Sequence, residues 1–231
     1  MVRRGARCQG SHSNDITTDG RLQIAAGVTL LRLSRLVRWH EEQALFVPVP
    51  RDEFEKSWRR EVDPVFGRLL SWIAFSSGAE FWLKGLCLLH NIDIRCCKQV
   101  PQYPSGNLED WAAKFIIDEN CNGIQMVTSF GTLGNITKSI GNAPSKLDKL
   151  LNACNATDCQ RNQVKASYLL LQKSIRNRDA HGYVRNVRDS HYHLVPNLFS
   201  ECFNTTAEWL PHGRCSVTKW VNLHGFVASV D

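Results

Sequence analysis

No stretch of about twenty consecutive apolar residues exists in the sequence, so nothing in it reads as a membrane span. The most apolar region, Phe66 to Ile92, is broken by Arg68, Glu80 and Lys84. No secretory signal stands in the first twenty residues. Arg3, Arg4 and Arg7 are followed by Ser, Asn, Asp and Gly, and the apolar run from Leu22 to Leu31 starts late between Arg21 and Arg32. Sustained period-two alternation is missing, which argues against a sandwich or barrel. There is also no internal repeat and no low-complexity tract. The nine cysteines are irregularly spaced. Cys154 and Cys159 bracket four residues, but no second pair stands at zinc-ligand spacing. The expectation is reduced thiols, no structural metal, no cofactor and a soluble, cytoplasmic protein. Asn135, Asn155 and Asn204 each open an Asn-x-Thr glycosylation pattern, which means little without a leader peptide.

What is present is an ordinary globular composition with a basic balance. The 231 residues fit one large domain or two small ones, and 43% hydrophobic residues can build a core. A net charge of +6 favours an anionic partner. Nucleic acid is the commonest such partner, because neutralised phosphates release their counterions.

Along the chain the pattern is helical. Residues 1–20 have the composition of a disordered tail. Over 21–45, Leu22, Ala25, Ala26, Thr29, Leu30, Leu33, Leu36 and Val37 recur at three- and four-residue steps. Arg32, Arg35 and Arg38 recur on another face, as a solvated side or a phosphate-binding stripe. Val47-Pro48-Val49-Pro50 breaks that helix. Asp63-Pro64 reads as a cap and first turn, with Ser76-Ser77-Gly78 a kink or a new start. The next helix carries Glu80 and Lys84, four apart in the favoured order for an ion pair. Glu80 is read either as that partner or as a carboxylate that orients an arginine in a cleft.

Residues 95–108 are expected to form a loop. Trp111, Phe115 and Ile116 suggest a helix, and Cys121-Asn122-Gly123 a turn. Ser145 with Asp148 predicts a capping box. From about 162 to 181, Val164, Tyr168, Leu171 and Ile175 make one buried stripe, with Gly182 at the C-cap. A last helix is expected from Val195, and 212–231 as a strand or cover. The predicted class is all-α, a helical bundle with inserted short helices and an irregular C-terminal tail.

The chemistry gathers at Ser174-Ile175-Arg176-Asn177-Arg178-Asp179-Ala180-His181-Gly182-Tyr183. Cutting RNA without metal requires a proton removed from the 2′-hydroxyl, phosphate charge stabilised and a proton delivered to the 5′-oxygen. Histidine suits the proton transfers and arginine the phosphate. His181 and Arg176 fill these roles, and Asn177, four residues before His181, shares its face. Five residues turn a regular helix by about 140° from Arg176 to His181. So the helix end is distorted, or the substrate spans the two, or Arg178 takes part. Between Arg161 and His193 seven bases (161, 165, 173, 176, 178, 185, 188) face two acids, Asp179 and Asp189. The stretch is read either as an RNA footprint, to which Lys173, Arg178, Tyr183, Arg185 and Arg188 contribute substrate contacts, or as a solvated, salt-bridged helix end with His181 capping carbonyls. Arg188 and His193 repeat the spacing of the first pair, and His191 and His193 are read as RNA-contacting or surface residues.

Arg176-Asn177-Arg178-Asp179-Ala180-His181, on the second-last long helix of an all-helical domain, resembles the Arg-polar-x-x-x-His signature of the HEPN (higher eukaryotes and prokaryotes nucleotide-binding) superfamily. The Ala79-Glu80 to Lys84 helix is similar to the early helix of such domains. The resemblance covers residues 60–90 and 160–210. It implies a HEPN-like domain over 21–211, an insertion at about 95–160 and a C-terminal extension at 212–231. It further implies a homodimer whose two motifs meet at one cleft, and metal-independent endoribonuclease activity with Arg176 and His181 as the catalytic pair and Asn177 as polar partner. A toxin or antiviral effector, with an antitoxin or a nucleotidyltransferase-like protein as partner, fits that family. The alternative is a non-catalytic module that binds a nucleotide or a protein.

Overall fold

The computed structural model describes residues 16–58, 64–99, 117–118, 126–130, 132–176 and 189–223, with side chains left out at some positions within these spans. In order they form α1 (Ile16–Ser34), β1 (Val37–His40), β2 (Leu45–Pro48), α2 (Arg51–Trp58), α3 (Pro64–Leu89), β3 (Arg95–Gln99), β4 (Ile117–Asp118) and β5 (Met126–Phe130). Then come α4 (Leu133–Thr137), α5 (Lys146–Ala153), α6 (Asp158–Leu170), a π turn (Leu171–Arg176), α7 (Asp189–Ala207) and α8 (Ser216–Leu223). The class is all-α. Two small antiparallel sheets, the hairpin β1-β2 and the three strands β3-β5-β4, sit beside the helices.

The centre of the molecule is the antiparallel pair α1 and α3, the most extensive contact between any two elements. Gly20 and Gly27 on α1 face Gly85 and Gly78 on α3, each pair seven residues apart. A Cβ on Gly27 would stand 2.9 Å from the Trp82 amide nitrogen, and one on Gly78 would stand 2.9 Å from the Gly27 carbonyl oxygen. The helices therefore meet backbone to backbone. Ser76-Ser77-Gly78 is neither a kink nor a new start, because α3 runs through it unbroken. Gly78 is there to admit α1.

Around this pair, Phe75, Trp82, Tyr168, Phe199 and Phe203 are fully buried and meet edge-on or tilted at 5.2–6.4 Å between ring centroids. Cys87 and Cys202 fill small core positions, as their periodicity suggests. Burial pushes both thiols up to about 12. Cys159 and Cys215 are exposed. Iodoacetamide at pH 8 is thus expected to label Cys159 and Cys215 within minutes and to spare Cys87 and Cys202 until the protein unfolds. Site-resolved mass spectrometry reads this, and fast labelling of Cys202 in the folded protein would refute the packing.

Several local expectations change. α1 begins at Ile16, inside the stretch whose composition suggested a tail, and ends at Ser34 rather than running to 45. Arg35 takes a left-handed turn (φ 56°), and the Ser34 hydroxyl accepts the Leu36 amide at 3.2 Å. Val37 and Trp39 then point inward and Arg38 and His40 outward, a strand alternation too short to stand out. Arg32, Arg35 and Arg38 consequently do not share one helix face, and Arg38 pairs with Glu53. Val47-Pro48 closes β2 instead of ending a helix. Residues 95–99, read as loop, form β3 paired with β5. The expected features at Trp111 to Ile116, at Cys121-Asn122-Gly123 and at Asp63 lie outside the described residues.

The hairpin is held by a side chain from α7. Asn204 Oδ1 accepts the Phe46 amide at 2.7 Å, and its Nδ2 donates to the Phe46 carbonyl at 2.9 Å. The pair completes β2 as a neighbouring strand would and seats Phe46 against Trp39, Trp82 and Phe203. An Asn204→Ala variant leaves two backbone groups of a buried residue unpaired. It is expected to cost about 2–3 kcal/mol, read as a lower denaturant midpoint at unchanged m-value; a loss below about 0.5 kcal/mol would mean the hairpin stands without it. Asn204 is also the third glycosylation pattern, and its amide is occupied by these two bonds.

Candidate active site

α6 is fixed at its start by a capping box. The Thr157 hydroxyl accepts the Gln160 amide at 3.3 Å, and Gln160 Oε1 accepts the Thr157 amide at 2.9 Å. The expected capping box of α5 is present as well. Asp148 Oδ2 accepts the Ser145 amide at 3.2 Å, and Lys165 Nζ stands 2.6 Å from Asp148 Oδ1, tying α6 to α5. The hydrogen bond from Lys165, then that from Ser145, holds the Asp148 carboxyl below its usual value.

Val164, Tyr168 and Leu171 are fully buried, so the predicted stripe is the core face of α6. The Tyr168 hydroxyl donates to the Ala79 carbonyl at 3.2 Å, and burial raises its pKa well above the usual phenol value. That bond registers α6 against α3 one residue before Glu80.

Past Leu170 the winding changes. Leu171–Arg176 is a π turn, closed by i→i+5 hydrogen bonds instead of i→i+4. It packs on α3, and Thr137 of α4 donates its hydroxyl to Gln172 Oε1 at 2.9 Å. The buried Leu171 and this bond hold the turn between α3 and α4. Nothing in the local sequence announced π winding. A distortion at this helix end was nonetheless one of the alternatives that the spacing of the motif left open.

Arg176 is the last residue of the π turn. Its side chain, together with Asn177, Arg178, His181, Tyr183, Arg185 and Arg188, lies outside the described residues, as do the side chains of His191 and His193. Lys173 is exposed on the turn. Glu80 is 6% exposed on α3, and its Oε1 is 2.9 Å from Lys84 Nζ, the intrahelical pair that the spacing favours. Two of the seven bases between Arg161 and Arg188 have structural work. Arg161 donates to the Ala156 carbonyl at 2.9 Å and to Asn152 Oδ1 at 2.8 Å, and Lys165 binds Asp148.

A second pairing was not legible. His90, at the end of α3, places Nε2 2.7 Å from the Trp209 carbonyl and 3.5 Å from Cys154 Sγ. A cysteine beside a histidine suggests a nucleophile. Burial, however, pushes the Cys154 thiol up to about 11, so it stays protonated at neutral pH. The short Nε2–carbonyl contact places the proton on Nε2 and leaves Nδ1, at 3.9 Å from Cys154 Sγ, as the ring's acceptor, too distant for a strong bond to the thiol. The pair is a packing contact.

Among the described residues no three His, Cys, Asp or Glu side chains converge as metal ligands, and no described helix is long and apolar enough to cross a membrane. What fold and site define together is an all-α protein whose arginine-rich motif begins on a π turn pressed against its central helix. No protein-family model, curated protein or solved structure matches the chain.

Proposed function

We propose that the protein is a metal-independent endoribonuclease of the HEPN type, acting as a homodimer on RNA. The observation that carries the reading is the π turn. Arg176, the first residue of the Arg-polar-x-x-x-His motif, is the last residue of that turn, which packs on the central helix α3. π turns concentrate at functional sites because the wider turn is otherwise unfavourable.

The roles follow from the chemistry. The 2′-hydroxyl gives up its proton to a water molecule as its oxygen attacks the adjacent phosphorus. Arg176 neutralises the charge growing on the equatorial oxygens with a planar, permanently charged fork. The P–O5′ bond breaks, and the His181 imidazolium protonates the leaving oxygen. The products are a 2′,3′-cyclic phosphate and a 5′-hydroxyl. Asn177 orients the substrate or the imidazole, and Lys173, Arg178, Tyr183, Arg185 and Arg188 hold the flanking strand. Glu80, buried on the helix that carries the π turn's weight, is the carboxylate that positions the Arg176 guanidinium. A toxin or antiviral role, restrained by an antitoxin or a nucleotidyltransferase-like partner, suits such an enzyme.

The test is cleavage of a single-stranded RNA in excess EDTA, with the ends identified. Cyclic phosphate ends that vanish in Arg176→Ala and His181→Ala support the reading. Cleavage that survives both substitutions would place the activity elsewhere.

A further inference from the structure

A cavity of about 460 Å³ opens between the first turns of α1 and the helix α8. Three cationic or potentially cationic side chains line it: Arg21 from α1, Lys219 from α8 and His212 from the preceding turn. Thr18 and Ser216 add hydroxyl oxygens, and no Asp or Glu is among the lining residues. Arg21 lies with its guanidinium carbon 5.9 Å from the centroid of the Trp220 ring, which fixes one face of the fork. Its Nε is buried and has no hydrogen-bond acceptor. A buried N–H without an acceptor is rare in a folded protein; this atom is closed even to water although the pocket is open, so recognition falls to the rest of the guanidinium. The cavity size falls in the range of small-ligand sites.

We infer that this pocket is a binding site for a small phosphate-rich anion, a pyrophosphate group standing free or carried by a nucleotide. Arg21 and Lys219 approach from two different helices, so their ligand must present oxygens on more than one side. A carboxylate has two oxygens in one plane, while a diphosphate presents several in all directions. The first turn of α8 faces the pocket through Ser216, and the positive end of its dipole adds to the field. The Ser216 hydroxyl proton is committed to the Gly213 carbonyl at 2.6 Å, so recognition rests on Arg21, Lys219 and His212.

The pocket is separate from the π turn on which the motif starts. Gly20 packs on Leu89 at one end of α3, while Tyr168 meets Ala79 ten residues earlier, about 15 Å along the axis. Cys154, just before α6, meets His90 beyond the end of α3, whereas Tyr168 meets Ala79, so the chain is running away from that end as it continues eight residues to Arg176. A ligand between α1 and α8 would clamp the C-terminal helix to the central pair, a regulatory position that does not depend on the ribonuclease reading.

The experiment is isothermal titration calorimetry of the full chain with inorganic pyrophosphate, ATP and adenosine. Saturable one-to-one binding of pyrophosphate and ATP is expected, with none for adenosine. Binding of ATP alone would assign the nucleotide source, and binding of pyrophosphate with equal affinity the free one. Arg21→Gln and Lys219→Gln should each weaken binding at least tenfold, while Lys149→Gln, an exposed base elsewhere, and Arg176→Ala leave it unchanged. Lys219 is exposed, so its variant should retain the fold if the Arg21 variant does not. No saturable binding, an equal loss in Lys149→Gln, or loss confined to Arg176→Ala would overturn the proposal.

Discussion

Replacing His181 by alanine is expected to lower the rate of RNA cleavage by about 10²–10⁴-fold, the usual contribution of a positioned general acid or base. Arg176→Ala should cost about 10²–10³-fold, as for removal of a donor that stabilises transition-state charge. The two losses should not add, because a leaving oxygen cannot be protonated effectively when the phosphate is mispositioned. Arg176→Lys separates charge from shape. An ammonium keeps the charge but loses the fork, so most of the defect should persist. Glu80→Gln should act through Arg176, reducing turnover with little change in RNA affinity. Single-turnover kinetics in EDTA measure all four, and a His181→Ala enzyme within threefold of the parent would exclude the assigned role.

How far the molecule could be read from its residues depended on the range of the forces involved. Local signals were legible. The Ser145–Asp148 capping box, the buried stripe of Val164, Tyr168 and Leu171, and the core positions of Cys87 and Cys202 each follow from spacing within one or two turns. Where two periods coincide, the reading failed. Leu36 and Val37 continue the helical steps of α1, yet the left-handed Arg35 ends the helix and Val37 starts a strand. Partners distant in sequence left no trace. Asn204 serves Phe46 across 158 residues, and Arg21 shares a pocket with Lys219 near the other end of the chain. The π turn belongs to the same group, because its packing partners, α3 and Thr137, stand far from it in sequence. The motif itself was visible as composition, and the winding beneath it was not.

The glycines at seven-residue spacing were the one long-range signal within reach, and they set the largest expected effect on stability. In an isolated helix alanine is favoured over glycine by about 1 kcal/mol. Gly27→Ala should therefore stabilise the protein if α1 were an ordinary surface helix. Here the new Cβ would stand 2.9 Å from the Trp82 amide nitrogen and 3.0 Å from the Gly78 carbonyl oxygen, neither of which can rotate away. The helices must separate, loosening the packing of Val28, Leu31, Phe75 and Trp82 at once. Overpacking of this kind costs about 1–3 kcal/mol for a methyl group and more for a branched side chain. Gly27→Ala is thus expected to destabilise despite its propensity. Gly27→Val should lose about 3 kcal/mol or more, a fall in Tm of roughly 10 °C for a chain of this size. Ala26→Gly, at the half-buried neighbouring position, supplies the contrast. There the sign is that of propensity alone, a loss of about 1 kcal/mol. Thermal melts of the three variants decide the matter: a Gly27→Ala protein as stable as the parent would mean that α1 and α3 do not meet backbone to backbone.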